Sequence, residues 1–373
     1  MSPSSTSEAS GSTHGREKLY LGEQWWASRW SWLIESGYTL RPRYHPDWKP
    51  SWNVKKKDAR KYEDGQLPNV RSFNSNIMDA TARDGTFVTL KRVDRTRHPH
   101  EIDISVLLSS PEFSSDPRNH SVRVLDVLYE VPEEPDSAIL VTPLLSRIEE
   151  PVMDTIGEFI AFYAQILEGL QFLHEHRIAH CDFFATNILM DAGPMYPAPF
   201  HPCDPTRRRD WKGKARHYTR TEKPVKYYII DYGLSHKLEH DQSPFVLPIV
   251  GADKSVPEHQ GEREAEPSDP FATDIYTAGN LVNVWFIERA GGEYDFMRPL
   301  LSSMTQEDPS KRPKIEEVVQ RFGELRASLS KKTLRSRIVD KRTIYPSFSG
   351  LRFRLRSLKL ALTGTPPIPD PRA

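Results

Sequence analysis

The stretch HRIAHCDFFATNILMD, residues 176–191, sets Asp182 and Asn187 five positions apart ahead of an apolar run, and a further carboxylate, Asp231, ends the apolar stretch in YYIIDYG. Two carboxylates and one amide on loops beside apolar strands offer the hard oxygen donors that Mg²⁺ prefers, and Mg²⁺ keeps company with phosphates. An Asp in such a loop can also orient a hydroxyl and accept its proton. The chemistry that suits this set is phosphoryl transfer, where positioning and charge neutralisation account for most of the catalysis. Asp-x4-Asn alone says little; followed by a strand that ends in Asp-x-Gly it becomes much more specific.

The elements that must present these residues follow from periodicity. Ile156, Phe159, Ile160, Tyr163, Ile166, Leu167, Leu170 and Leu173 recur at helical spacing and predict a long buried helix that runs directly into the Asp182 loop. Upstream, DATARDGTFVTLKRV places Asp84-Gly85, a pair suited to a tight hairpin turn, before a strand alternating at Phe87, Thr89 and Lys91. HPHEIDISVLLSS predicts a helix with Pro99 near its start and Ile102, Val106 and Leu107 on one side. SVRVLDVLYEV and SAILVTPLL predict two more strands, so a small β-rich unit with one helix is the simplest assembly of this part. Before it lies a segment holding six of the eight tryptophans, in which Trp26, Trp30 and Leu33 fall at i, i+4, i+7 and predict a helical stripe that packs on a larger body. After Asp191 a Pro-rich, basic stretch reads as a long surface insertion.

Composition narrows the function classes. Lys plus Arg (51) equals Asp plus Glu (51), so no bulk field draws the chain towards nucleic acid or an acidic surface. The two cysteines, Cys181 and Cys203, cannot form the disulfide framework of a small secreted domain, and a reducing compartment fits better. No run approaches the roughly 18 apolar residues needed to span a bilayer. The expected location is cytoplasmic, or nuclear if the K/R-rich run TRRRDWKGKAR serves as a signal; no membrane is expected as a partner, and nucleic acid is not favoured. His174, His176, His180 and Cys181 could be taken as a metal cluster, but helix positions two apart do not share a face.

Taken in order, the motifs resemble those of a eukaryotic protein kinase. His180-Cys181-Asp182 with Asn187 is similar to H-R-D-x4-N, Asp231-Tyr232-Gly233 to D-F-G, and VTLK with Lys91 to V-A-I-K. Glu101 stands where the ion-pair Glu of that family opens its helix, Val256-Pro257-Glu258 resembles A-P-E, Asp274 resembles the buried Asp of the larger lobe, and EDPSKRP supplies Arg312 as the partner of Glu258. GYTLRPRYHPDWKPSW and DPRNHSVRVLDVL further resemble kinase-like proteins of mushroom-forming fungi.

The resemblance implies an α+β, bilobal fold with a small β-rich N-lobe (70–143) and a larger, mainly helical C-lobe (144–330) that carries the insertion 191–226. Around these would lie a disordered tail (1–16), the Trp-rich extension (17–69) and a basic tail (331–373). It implies ATP and Mg²⁺ as cofactors and a protein substrate or partner. Asp182 would be the base, Lys91 would contact phosphate and pair with Glu101, and Asn187 and Asp231 would hold the metal. Thr142 would stand at the gatekeeper position and Leu145 at the adenine-contacting hinge.

Three departures from the family pattern bear on activity. The glycine-rich loop is replaced, with Val70, Ser72 and Ser75 at its glycine positions, so the Ser72 and Ser75 amides would face phosphate without a glycine's freedom. Cys181 stands where many kinases have an Arg that pairs with a loop phosphate. Phe184 replaces the cation that reaches the γ-phosphate. An active protein kinase with weakened turnover, a pseudokinase scaffold and a small-molecule phosphotransferase are the three readings. In the tail, Leu351, Phe353 and Leu355 alternate with Arg352, Arg354 and Arg356, which leaves docking on the fold and contact with an acidic partner both open.

Overall fold

The computed structural model describes residues 16–52, 58–67, 76–239, 245–247, 251–290, 292–339, 341 and 349–372. Val70, Ser72, Ser75 and nearly all of the 1–16 segment lie outside the described residues. The chain is a mixed α/β fold in which the larger antiparallel sheet comes before residue 144 and most helices come after 155. Among the described residues no helix is long and apolar enough to cross a membrane.

The Trp-rich segment forms two short helices, α1 (Leu21–Ala27) and α2 (Trp30–Glu35), followed by strand β1 (Tyr38–Leu40). The i, i+4, i+7 spacing predicts one helical stripe; the helix instead breaks at Ser28 and Arg29, and Trp26 and Leu33 are buried whereas Trp30 is half-exposed. Arg29 accounts for the break, because its guanidinium donates to the carbonyls of Trp25 and Pro132 and lies 4.2 Å from the Trp25 ring centroid. β1 pairs antiparallel with β2 (Ile77–Ala82), so the segment is not only docked on the sheet but supplies its edge strand.

β2 turns through Asp84-Gly85 into β3 (Phe87–Asp94), with Gly85 at φ +86°, a conformation that favours glycine, and Asp84 Oδ1 accepting from the Thr86 N–H. Helix α3 (Glu101–Ser109) and the single turn α4 (Pro111–Ser114) follow, then β4 (Asp126–Leu128) and β5 (Ser137–Pro143). The sheet order is β1-β2-β3-β5-β4. In α3 Glu101, Ile102, Ile104, Ser105 and Leu108 are buried and Leu107 is half-buried, as the sequence face through Ile102 and Leu107 predicts, whereas Val106 is exposed, which corrects that one position. Ile104 and Leu108, one turn apart, both join the main hydrophobic core, against which Leu107 also packs.

β6 (Ser146–Arg147) leads to α5 (Ile156–Glu175), capped by the Thr155 hydroxyl, which accepts from the Glu158 N–H. All eight apolar residues of the periodic pattern are buried, as expected of a helix at the centre of a core. Each such side chain contributes about 1.5–3 kcal/mol by burial. β7 (Ile178–Ala179) and β8 (Ile188–Met190) bracket the Asp182 loop; β9 (Phe200–His201) and β10 (Asp204–Arg208) form a hairpin in the insertion; β11 (Tyr227–Ile229) pairs with β8, and β12 (His236–Lys237) pairs with β7. These two pairings hold residues 180–187 beside residues 230–235. The chain continues through α6 (Pro270–Val282), α7 (Arg298–Met304), α8 (Ile315–Ser328), α9 (Lys331–Leu334) and α10 (Ser349–Leu362).

The insertion is more than a surface loop. Arg209 reaches the sheet, pairing with Asp79 at 3.1 Å and lying 4.3 Å from the Phe87 ring centroid, while His201 meets Glu63 and the Trp211 indole donates to the Lys61 carbonyl. Asp79 also receives Arg41 at 3.0 Å, so one buried carboxylate ties together β2, the stretch after β1 and the insertion. Asp79→Asn should lower the unfolding free energy by about 1–3 kcal/mol, since two guanidinium groups lose their anion. Equilibrium denaturant unfolding checks this.

Candidate active site

Alternation along β3 places Phe87, Thr89 and Lys91 on one face, and the register sets Thr142 opposite Thr89 and Leu140 opposite Lys91. Thr142 therefore shares the Lys91 face at the end of β5, and Leu145 lies half-buried in the link from β5 to β6. Lys91 Nζ bridges two carboxylates: Glu101 Oε1 at 2.5 Å, from the first residue of α3, and Asp231 Oδ1 at 2.8 Å, from the residues just after β11. Burial pulls the ammonium pKa down, but Asp231 and Glu101 outweigh it and the net shift is upward. Burial also pushes Asp231 up, yet Lys91 outweighs it and holds this carboxyl below its ordinary value. At Glu101 burial wins over the pull of Lys91, and the pKa rises. One cation thus serves two acids, and Asp231 is the one kept firmly as an anion.

Asp231 adopts φ +68°, an uncommon conformation for a residue with a side chain. Local contacts hold it there: Gly233 N–H approaches Asp231 Oδ1 at 3.4 Å, and the Gly233 carbonyl meets His98 Nδ1 at 2.9 Å. A Cβ on Gly233 would lie 3.1 Å from both Glu101 Oε2 and His98 Nδ1, so a larger residue would push against the ion-pair cluster.

The Asp182 loop is fixed from below by Asp274, whose fully buried carboxylate accepts the N–H groups of His180 (2.7 Å) and Cys181 (2.8 Å) and pairs with His174. This explains how Cys181 sustains φ +62°. His180 Nδ1 accepts from the Asp182 N–H, which leaves Nε2 to donate to the Ile230 carbonyl at 3.0 Å; one imidazole thereby joins the two loops. Asn187 Nδ2 donates to the Asp182 carbonyl and to Asp182 Oδ2 at 2.8 Å, and Asp182 Oδ1 accepts the Ala252 N–H at 2.6 Å. Burial raises the Asp182 pKa, and the Ala252 N–H offsets only part of this.

Asn187 turns its amide nitrogen to Asp182, which leaves Oδ1 as an acceptor, and Asp231 Oδ2 likewise remains beside the Oδ1 that meets Lys91. These two oxygens fit a hard cation that completes its shell with water and phosphate oxygens. Among the described residues no group of three or more His, Cys, Asp or Glu side chains could hold a metal by itself. The histidines of HEHRIAHC are engaged separately, His174 with Asp274, His176 with the Phe172 carbonyl and His180 with Ile230.

Cys181 is buried, its thiol is pushed well up by burial, and Sγ approaches the Ala179 carbonyl, so it offers nothing to an anion. Phe184 is half-exposed with its ring 6.2 Å from that of Trp285. Glu258 and Arg312, paired from sequence, form a buried bidentate bridge at 2.6 and 2.7 Å. Sequence reasoning missed the cover over Asp182: Gly251 stands so close that a Cβ there would lie 2.5 Å from Asp182 Oδ1. It also missed Asp79, whose one signal is an acid inside an apolar strand, IMDATA.

No protein-family model matches the chain, and no curated protein matches it.

Proposed function

We propose that the chain is an ATP-dependent phosphotransferase with a bilobal, protein-kinase-like fold, acting on protein Ser/Thr hydroxyls in the cytoplasm or nucleus. The observation that carries the reading is Lys91 held between Glu101 and Asp231, residues from three separate elements brought within ion-pair distance. In the proposed complex Lys91 binds the α- and β-phosphates, and Glu101 keeps its ammonium pointed at them. Asn187 and Asp231 hold Mg²⁺, which neutralises phosphate charge when bound. Asp182, oriented by Asn187, accepts the proton of the attacking hydroxyl. The cover formed by Gly251 and Ala252 must shift to admit that hydroxyl, because the Ala252 N–H occupies Oδ1.

One observation favours a second reading, a scaffold that binds nucleotide or protein without turnover. Phe184 gives an aromatic contact to Trp285 where a cation would assist phosphoryl transfer. The buried Glu258–Arg312 bridge supports a protein rather than a small-molecule acceptor, since that pairing belongs to the protein-kinase resemblance.

A thermal-shift titration tests the site. ATP with Mg²⁺ should raise the melting temperature of the parent protein, and Lys91→Met and Asp231→Asn should each abolish the shift. An unchanged shift in both variants would remove the assignment.

A further inference from the structure

The C-terminal helix α10 presents two unlike faces. At 3.6 residues per turn, Phe353, Arg356, Ser357 and Leu360 fall on one side, and these line a small cleft with Asp154 and Thr155 at the start of α5. Arg356 forms an ion pair with Asp154, and the Arg337 guanidinium carbon lies 5.6 Å from the Phe353 ring centroid. The helix is therefore docked along this inner side. The opposite side carries Leu351, Leu355, Leu358 and Leu362, spaced 4, 3 and 4 apart as a single row, and they are 60, 62, 58 and 79% exposed.

Exposed cations border that row on both sides: Arg354 on one, Arg352 and Lys359 on the other. From Lys331 to Thr365 the sequence holds ten Lys and Arg against one acid, Asp340. A row of leucines between two lines of cations is complementary to a surface that is apolar beneath and anionic at its margin. We propose that α10 is a surface helix that seats the folded chain on an anionic phospholipid membrane. The leucines enter the boundary between head groups and acyl chains, roughly 5–10 Å deep, and Arg352, Arg354 and Lys359 meet the lipid phosphates.

Two other occupants fit less well. A partner that enwraps a basic helix needs its whole circumference, but the side with Phe353, Arg356, Ser357 and Leu360 faces the cleft beside Asp154 and Thr155. A second copy packed leucine to leucine about a two-fold axis would bring cationic borders against each other. The helix lies on the membrane and does not cross it, which agrees with the absence of any spanning helix among the described residues. The balanced overall charge hid this local field from composition.

Vesicle flotation of the full chain tests the proposal. The protein should float with vesicles of phosphatidylcholine mixed with phosphatidylserine and not with phosphatidylcholine alone, and rising salt should release it. Leu355→Ser with Leu358→Ser should weaken binding by about tenfold or more, as should Arg352→Glu with Arg354→Glu. All four positions are exposed, so the melting temperature should stay at the parent value; a circular-dichroism melt on each variant verifies this. Absence of flotation, equal flotation on neutral vesicles, or parent-like binding by the folded leucine variant each overturns the proposal. Sedimentation covers the rival occupants: a dimer, or a complex with an acidic protein, that the leucine changes abolish while vesicles go unbound also overturns it.

Discussion

Arg312→Met lowers the unfolding free energy by about 3–5 kcal/mol, because it strands a buried carboxylate. Glu258 is 5% exposed, and its oxygens accept from both Arg312 terminal nitrogens and from the Thr273 hydroxyl. With the guanidinium gone, the Thr273 hydroxyl cannot neutralise the charge. Glu258→Leu combined with Arg312→Met should recover a good part of the loss, since removing both partners leaves no orphaned charge. Acid provides an independent check. Burial alone would raise the Glu258 pKa, but Arg312 outweighs it and the folded-state value is depressed. A depressed carboxyl contributes stability above its unfolded pKa, about 4.3, and loses it as the pH falls through the folded value. The double variant should therefore lose less stability than the parent on acidification in that range, as denaturant unfolding at several pH values would show.

The second large effect concerns turnover. Asp182→Asn should reduce phosphoryl transfer by about 100-fold or more, because the amide cannot take the hydroxyl proton. Phe184→Lys should raise the parent rate by about tenfold, equivalent to roughly 1.4 kcal/mol of transition-state stabilisation, and should give no gain in the Asp182→Asn background. Phe184 lies against Trp285, so the Lys variant costs about 1–3 kcal/mol of stability and its folding is measured alongside. Burial raises the Asp182 pKa, so the base is protonated at a higher pH than an ordinary Asp. The acid limb of the pH–rate profile should accordingly lie at higher pH than for an ordinary Asp. Should Phe184→Lys fold, bind ATP and show no turnover, the scaffold reading replaces the enzyme.

Features with their own periodicity or local chemistry were legible from sequence. α5 could be read because its apolar residues repeat over five turns, and the β2–β3 turn because Asp84-Gly85 suits a left-handed step. Asp182, Asn187 and Asp231 were singled out by residue type and spacing, Lys91 and Glu101 by the protein-kinase resemblance, and the fold brings the five into two adjoining clusters. What stayed hidden depends on long-range contacts. β1 has three residues, too few to show alternation, and is defined by pairing with β2. The Asp79 network joins residues from stretches far apart in the chain, and the Ala252 contact uses a main-chain N–H that any residue except proline provides. In α10 the alternation of Leu351, Phe353 and Leu355 with arginines masked a helix; the period of 3.6 emerges only when Leu358 and Leu362 are included.

Lys91, Asn187 and Asp231 are proposed to form a magnesium–nucleotide site. Calorimetric titration of the parent protein with ATP, with and without Mg²⁺, tests it most directly, alongside Asp231→Asn. Binding that strengthens with Mg²⁺ in the parent, and loses that dependence in Asp231→Asn, is the predicted result. Absence of ATP binding, or binding indifferent both to Mg²⁺ and to the loss of the Asp231 carboxylate, would contradict it.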